Sequence, residues 1–423
     1  MTTSLPIRSI AALATARAVR FVFRRLLRRG ASSAPGIAAL ILDRLLVGRL
    51  LRSLPGGVIV VSGSSGKSTT TKMLVAVLRE HGMRVVTNAS TANLERGLAS
   101  TLAEAATWRG RLDANIAVLE IDEAVAAKLA DSLVPRLSVL TNISLDQLDR
   151  FESAQRVATL LGALAEHSDR LVINADDTLL RVIVAEVERP STSFGVRLPD
   201  RAGQLELLGG AVPWRGESHP DSSLDELAEH AAVVTVRGLA VPVRLPAPGV
   251  HYAVDAAAAL EAAAVTLGTA FDPELATRAF ANLTPVFGRG EIVEVRGQLV
   301  ELLLVQNPAS LRLNLAQLAP SPERLMVAVG ADVRDGSWLW SVPVDGLDHV
   351  SVVSGSRAFE VATRLVYDGV QLDSVVPELD AALEEFLALP APTVGLKTIV
   401  FSADAMRKTR RMLRLDRAGE VAR

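Results

Sequence analysis

The sequence predicts an α/β protein of two unequal alternating units, each built on a mostly parallel sheet. Three observations carry that reading. Short β-branched runs alternate with longer helical stretches from Val58 to Asn174, as in a parallel sheet covered on both faces. A second alternation of the same kind starts near Gly297. The length of 423 residues, 49% of them hydrophobic, suits two or three domains and excludes a disordered or collagen-like chain.

Residues 1–55 read as a basic helical segment. Arg8, Arg17, Arg20, Arg24, Arg25, Arg28 and Arg29 lie among Ala, Leu, Val and Phe, and no acidic group occurs before Asp43. A break is expected at Ser32-Ser33-Ala34-Pro35-Gly36. Two readings are open: a basic amphipathic helix on an anionic membrane surface, or a helix packed on the next domain with its arginines in water. The second is preferred, because long arginine stems commonly cover apolar surface. Arginines interrupt every apolar run and no small-residue cleavage site follows, so a signal peptide is not expected.

Strands are predicted at Val58–Ser62, Arg84–Thr87, Ile116–Glu120, Leu137–Thr141 and Leu171–Asn174. Helices are predicted at Lys67–Glu80, Asn93–Ala106 and Ala154–His167. From Gln204 to Leu245 the texture becomes short alternating runs with Gly209-Gly210 and Pro213, which suggests hairpins, and an Ala-rich helix follows at Ala253–Leu267. The second alternation gives strands at Leu299–Val305, Met326–Gly330, Val350–Ser354 and Thr398–Ser402, and the candidate linker is Thr284–Gly290. The expected organisation is 1–55, then 56–290 with a hairpin insertion at about 196–246, then 291–423. No internal repeat is seen.

Composition narrows the chemistry. A net charge of -2 gives no reason to expect nucleic-acid binding. Cysteine is absent, which excludes disulfides, a thiolate nucleophile and Cys-ligated zinc. Only five of 45 basic residues are Lys (67, 72, 128, 397 and 408), a bias that suits a GC-rich, bacterial coding sequence. No charge-free run reaches the ~18 residues needed to span a bilayer, so a cytoplasmic location is expected.

The strongest motif is Val58-Ile59-Val60-Val61-Ser62-Gly63-Ser64-Ser65-Gly66-Lys67-Ser68-Thr69-Thr70. An apolar strand runs into a glycine-bracketed loop, and Lys and hydroxyl residues open a helix. Glycines let backbone N–H groups turn toward a phosphate, and the helix N-terminus adds partial positive charge. Lys67 supplies a point charge for β/γ-phosphates, and Ser68 can ligate Mg²⁺. Val61 stands where the usual eight-residue loop needs Gly, so the motif is the shorter Gly-x-x-Gly-Lys-Ser-Thr form.

That short loop resembles the ATP loop of the Mur ligases and folylpolyglutamate synthases, which form amide bonds at the expense of ATP. Further blocks are similar to the ligase subunits of lipid II isoglutaminyl synthases, the MurT type. They are Val118–Glu123, Thr141–Phe151, Leu171–Asp177, Gln306–Ala309 and Arg334–Trp338, in family order over most of the chain. The resemblance implies a Mur-ligase-like central P-loop ATPase domain with a parallel sheet and a smaller Rossmann-like α/β C-terminal domain. It implies ATP and Mg²⁺ as cofactors and amidation of the D-Glu α-carboxylate of lipid II at the membrane surface. The ammonia would come from a GatD-like glutamine amidotransferase subunit. Here composition agrees, since a chain without Cys cannot form the thioester such glutaminases need.

The resemblance also assigns roles. Gly63, Ser64, Ser65, Gly66, Lys67, Ser68 and Thr69 would cradle the phosphates. Glu120, at a strand end where open α/β sheets place ligand groups, would hold Mg²⁺ with Ser68. Asn142 would lie beside the same site, Arg289 would reach phosphate across the domain boundary, and Asn307 would contact the nucleotide. Asp335 would activate ammonia or complete the partner's catalytic arrangement; its bland alternative is an Asp-Gly turn. The chain also departs from the pattern. Gln147 replaces a metal-binding His, no Lys lies between 128 and 397 to be carbamylated, and Tyr252 and Asp255 stand where Asn is expected. Asp255 lacks the amide donor of Asn, so its nucleotide contact must differ. The zinc ribbon of many such subunits has no Cys here, so no zinc is expected.

Overall fold

The computed structural model describes residues 5–25, 33–88, 93–144, 153–208, 216–284, 289–305, 308–318, 322–333, 336–344 and 346–415. Three N-terminal helices, α1 (Ile7–Arg25), α2 (Ala34–Leu42) and α3 (Leu46–Leu51), precede the first sheet. Pro35 in the first turn of α2 starts that helix without needing an N–H partner. Asp43, the first acidic residue, is buried and takes hydrogen bonds from Ser9 (2.5 Å) and Arg49 (2.7 Å), which ties α1 to α3. The helices pack on the neighbouring domain, as preferred from sequence, but Arg17 and Arg20 are not in water. Arg17 donates to the carbonyl of Ala106 and lies 4.3 Å over the Trp108 ring, and Arg20 pairs with Glu104.

The first sheet has nine strands: β1 (Val58–Ser62), β2 (Val85–Thr87), β3 (Ile116–Glu120), β4 (Leu137–Leu140), β5 (Leu171–Asn174), β6 (Ser191–Val196), β7 (Ser222–Leu227), β8 (Ala231–Val236) and β9 (Leu239–Arg244). Their spatial order is β2-β3-β1-β4-β5-β6-β7-β8-β9. All neighbours from β2 to β7 are parallel, and β8 and β9 add antiparallel strands at one edge. Every residue of β1, β3, β4 and β5 is buried, as expected of strands covered on two faces. One face is covered by α4 (Lys67–Glu80) and the Ala-rich helix Val250–Leu267. The other is covered by α1 to α3, α5 (Glu95–Ala105), α6 (Glu123–Leu133) and the helix Ala154–Glu166. The Val250–Ala270 span is apolar enough to cross a bilayer, yet Val250–Ala264 lies in the core, packed against the sheet and beside α4.

One expectation is corrected here. The hairpins do not begin at Gln204, since Arg201–Leu208 is a helix that buries Leu205. Strands β7 to β9 continue the main sheet through the β6–β7 pairing.

The second sheet has six strands in the order β10-β11-β15-β12-β13-β14. These are β10 (Arg289–Val295), β11 (Gln298–Leu304), β12 (Leu325–Ala328), β13 (His349–Ser354), β14 (Gln371–Val376) and β15 (Lys397–Phe401). Only β10 is antiparallel, paired with β11. Apolar clusters fill both faces of this sheet. The expected linker ends early, because Arg289 and Gly290 already belong to β10, whose alternation becomes a strand once β11 supplies its partner. Strand β14, which the sequence reading omits, is held at the edge by β13. The helix Pro308–Gln317 rests on Arg201–Leu208 and so joins the two units, and Lys72 of α4 donates to Thr284 at 2.8 and 2.9 Å.

Candidate active site

The site forms where β1 ends between β3 and β4, a switch in strand order that opens a crevice at the carboxyl ends of a parallel sheet. Register brings Val61 opposite Glu120 and Ser62 opposite Leu140, so the ends of all three strands arrive together. The loop from Gly63 to Gly66 then turns into α4. Gly63 and Gly66 have φ of +132° and +79°, conformations that suit glycine. A Cβ at Gly63 would sit 2.3 Å from Thr141 Oγ1 and 3.0 Å from the Asn142 backbone, so the loop lies tight against the end of β4.

Asn142 fastens that loop. Its Oδ1 accepts from the Ser65 amide (3.0 Å) and hydroxyl (3.1 Å), and its carbonyl accepts from the Ser64 amide (2.9 Å). Thr141 adds a 2.6 Å bond to the Ser65 carbonyl, and the Ser64 hydroxyl accepts from the Ser144 amide at 3.0 Å. The amides of Ser64 and Ser65, expected to cradle phosphate, are therefore turned to Asn142. The cradle is left to Gly66 and the first turn of α4, where Lys67, Ser68 and Thr69 present helix-start amides and Gly66 has no side chain to cap them.

Ser68 and Glu120 meet as expected. The Ser68 hydroxyl donates to Glu120 Oε1 at 2.9 Å, and both residues are buried. Asn88 at the end of β2 brackets the same strand end, accepting from the Glu120 amide (3.0 Å) and donating to its carbonyl (2.9 Å). The Lys67 side chain is only 11% exposed. Its Nζ folds back to the carbonyls of Gly63 and Ser64 and lies 3.1 Å from Glu123, whose side chain is only 1% exposed. Glu123 Oε2 is buried without a hydrogen-bond partner. Ser68, Glu120 and Glu123 thus offer hard oxygen donors, including one orphaned oxygen, which fits Mg²⁺. Among the described residues no three acidic or histidine side chains form a ready-made cage. A cation here would complete its shell from phosphate oxygens and water, as Mg²⁺ usually does.

Asp255 reaches the loop from the helix Val250–Leu267, which packs beside α4 on the same face of the sheet. It is buried, and its Oδ1 lies 2.3 Å from where a Cβ on Gly66 would be. Tyr252, the other departure, is buried in the core. Asp177 backs the site from below. It caps its own helix through the amides of Leu179 (2.9 Å) and Leu180 (3.1 Å) and accepts from the Ile143 amide (2.7 Å), and burial pushes its carboxyl up to about 6. Lys397, the first Lys after 128, is wholly buried and donates to the carbonyls of Phe386, Leu387 and Leu389, so it is not a carbamate site. Asp335, Asn307, Asp146, Gln147 and Asp149 lie outside the described residues, as does the side chain of Arg289.

Two family models match the chain in sequence order, the Mur ligase middle domain over residues 61–263 and the MurT ligase C-terminal domain over 304–397. The chain thus carries a Mur ligase middle domain followed by a MurT-type C-terminal domain. It is 29% identical to the MurT subunit of the glutamine-hydrolysing lipid II isoglutaminyl synthase of Streptococcus pneumoniae, over 86% of this chain and 88% of that one. It is 28% identical to the UDP-N-acetylmuramate–L-alanine ligase of Bifidobacterium adolescentis, over 63% of this chain and 51% of that one. In fold it is similar to MurF of Thermotoga maritima solved in complex with ADP, with TM-score 0.64, 20% identity and coverage of 94% and 92%. MurF of Acinetobacter baumannii gives TM-score 0.65 at 20% identity, covering 89% and 79%. The site is accordingly that of an ATP-dependent Mur-type ligase.

Sequence reasoning does not single out Asn88 or the Lys67–Glu123 pair. Glu123 stands in the family-like block ending β3, but only the fold shows it facing Lys67 across 56 positions. Asn88 carries no local signal.

Proposed function

We propose that this chain is the ligase subunit of a lipid II isoglutaminyl synthase, working in the cytoplasm on a membrane-borne substrate. The observation that carries the proposal is the MurT-type C-terminal match joined to a Mur ligase ATP site in one chain. A carboxylate oxygen of the stem-peptide D-Glu attacks the γ-phosphorus of ATP and ADP leaves, giving an acyl phosphate. Ammonia then attacks the acyl carbon, inorganic phosphate leaves, and the excess proton passes to solvent.

The residues would divide the work as follows. Amides at the start of α4 hold the phosphates by fixed dipoles that need no rearrangement during reaction. Lys67 leaves the carbonyls of Gly63 and Ser64 to meet the transferring phosphoryl group, and Glu123 keeps its charge close. Ser68, Glu120 and Glu123 would hold Mg²⁺, which when bound neutralises charge between the β- and γ-phosphates. Asp335 would orient ammonia.

The lack of cysteine supports a two-subunit arrangement, with glutamine hydrolysed on a separate GatD-like chain. Highly purified chain given ATP, Mg²⁺ and lipid II should amidate with free ammonium and not with glutamine. Adding a Cys-His glutaminase from the same organism should confer glutamine dependence. Amidation from glutamine by the chain alone would refute the two-subunit reading. No ATP turnover with lipid II and ammonium would refute the substrate assignment.

A further inference from the structure

The N-terminal helices carry an outward face that neither the sheet nor the active site uses. Along α1, Ile7, Ala11, Ala14, Ala18, Phe21 and Arg25 are exposed at alternating spacings of four and three, a single stripe on the helix. Ile7 is 87% exposed and Phe21 63%, and Ile10 and Val22 are exposed beside them. On α2, packed against α1, Ile37 and Ile41 continue outward one turn apart, with Ile41 77% exposed, and Leu45 is exposed beyond the end of that helix. Water-facing helix positions normally carry charge. Along the middle of α1 the charge goes inward instead, since Arg17 and Arg20 grip Ala106, Trp108 and Glu104 on the body of the domain. The helix is thus pinned by its arginines and shows its apolar stripe to the outside.

Charge selects the occupant. Arg8 and Arg25 are exposed at the two ends of the stripe, and Arg44 and Arg52 are exposed next to it in sequence, beyond α2 and α3. The single acidic residue of the segment, Asp43, is buried and held by Ser9 and Arg49. A second copy of this chain would set arginine against arginine, which opposes self-association. An apolar stripe with an arginine rim, on a segment whose described residues expose no acid, matches an anionic bilayer surface. We propose that this face docks on anionic lipid, with Ile7, Phe21 and Ile41 entering the acyl boundary and the arginines meeting lipid phosphates. The proposal stands apart from the substrate assignment, because docking needs no lipid II.

The test is flotation of the full chain with phosphatidylglycerol–phosphatidylcholine vesicles and with pure phosphatidylcholine vesicles, at low and high salt. The wild-type chain should float with the anionic vesicles, less so in high salt. Phe21→Ser with Ile41→Ser should lower the partition at least about tenfold. These side chains are exposed, so melting temperature and ADP affinity should hold. Arg8→Gln with Arg25→Gln should flatten the salt dependence. Absence of flotation by the wild-type chain, or equal flotation by the Phe21 and Ile41 variant, would overturn the proposal. So would light scattering that shows a dimer lost in that variant, which would assign the face to a second copy.

Discussion

Gly66→Ala should damage the phosphate loop through two separable effects. At φ +79° an L side chain is disfavoured, and the left-handed conformation costs about 1–2 kcal/mol. The new Cβ would also lie 2.3 Å from Asp255 Oδ1 and 3.1 Å from its Cγ, well inside van der Waals contact. Asp255 is only 7% exposed on a packed helix, so turning its carboxylate away means displacing neighbours. Relieving such an overlap typically costs about 1–3 kcal/mol. The single substitution is therefore expected to cost about 2–5 kcal/mol. In an Asp255→Ala background the overlap is gone and the φ term stays, so the same change should cost about 1–2 kcal/mol. Urea denaturation of the wild-type chain, both single variants and the double variant gives the coupling directly. ADP titration on the same four proteins reports whether the loop still receives a phosphate. An equal cost of Gly66→Ala in both backgrounds would refute the idea that Asp255 confines the loop.

Lys67→Ala should abolish ATP-dependent ligation and also lower stability by about 3 kcal/mol, because it strands Glu123 as a buried unpaired charge. Glu123→Gln added to that variant should restore the melting temperature without activity, and an unchanged melting temperature in Lys67→Ala alone would count against the pair. Asp177, pushed from 3.8 to about 6 by burial, binds its proton more tightly in the native state than in the unfolded chain. Its contribution is thus fully present below the unfolded value and is lost as pH rises through about 6, a change of roughly 3 kcal/mol at most. Asp177→Asn does not titrate, so its stability relative to wild type should improve between about pH 4 and pH 7, and a constant gap would reject the shift. Asp335→Asn should slow amidation about a hundredfold with near-normal nucleotide affinity. Full activity with a lowered melting temperature would make Asp335 a turn residue only.

The run from Val58 to Thr70 was legible because its signals are local: β-branched residues for a buried strand, glycines for the turn, hydroxyls and Lys at a helix start. Glu120 was legible for a related reason, as an acid ending an apolar strand. The strands that sequence blurred are those whose identity depends on a partner. The Glu291–Val295 alternation became β10 only through β11, and β14 only through β13. The hairpin texture from Gln204 misled because Arg201–Leu208 needs a helical turn to bury Leu205.

What the sequence by itself determined is the kind of chemistry: a phosphate loop, an acid at a strand end, no thiol, and the order of the family blocks. These follow from residue type and short spacing, which act within one turn or strand. Only the tertiary structure decided how the loop is held and which groups face it. Because β3 and β4 flank β1, Asn142 reaches back 77 positions to Ser65, and Glu123 reaches 56 to Lys67. Because the helix Val250–Leu267 packs beside α4, a carboxylate stops against Gly66. The outward turn of the α1 apolar stripe was settled in the same way, since Arg17 and Arg20 find their partners on residues 104–108. Such contacts join positions far apart in the chain, and nothing in the local pattern of either residue encodes its partner.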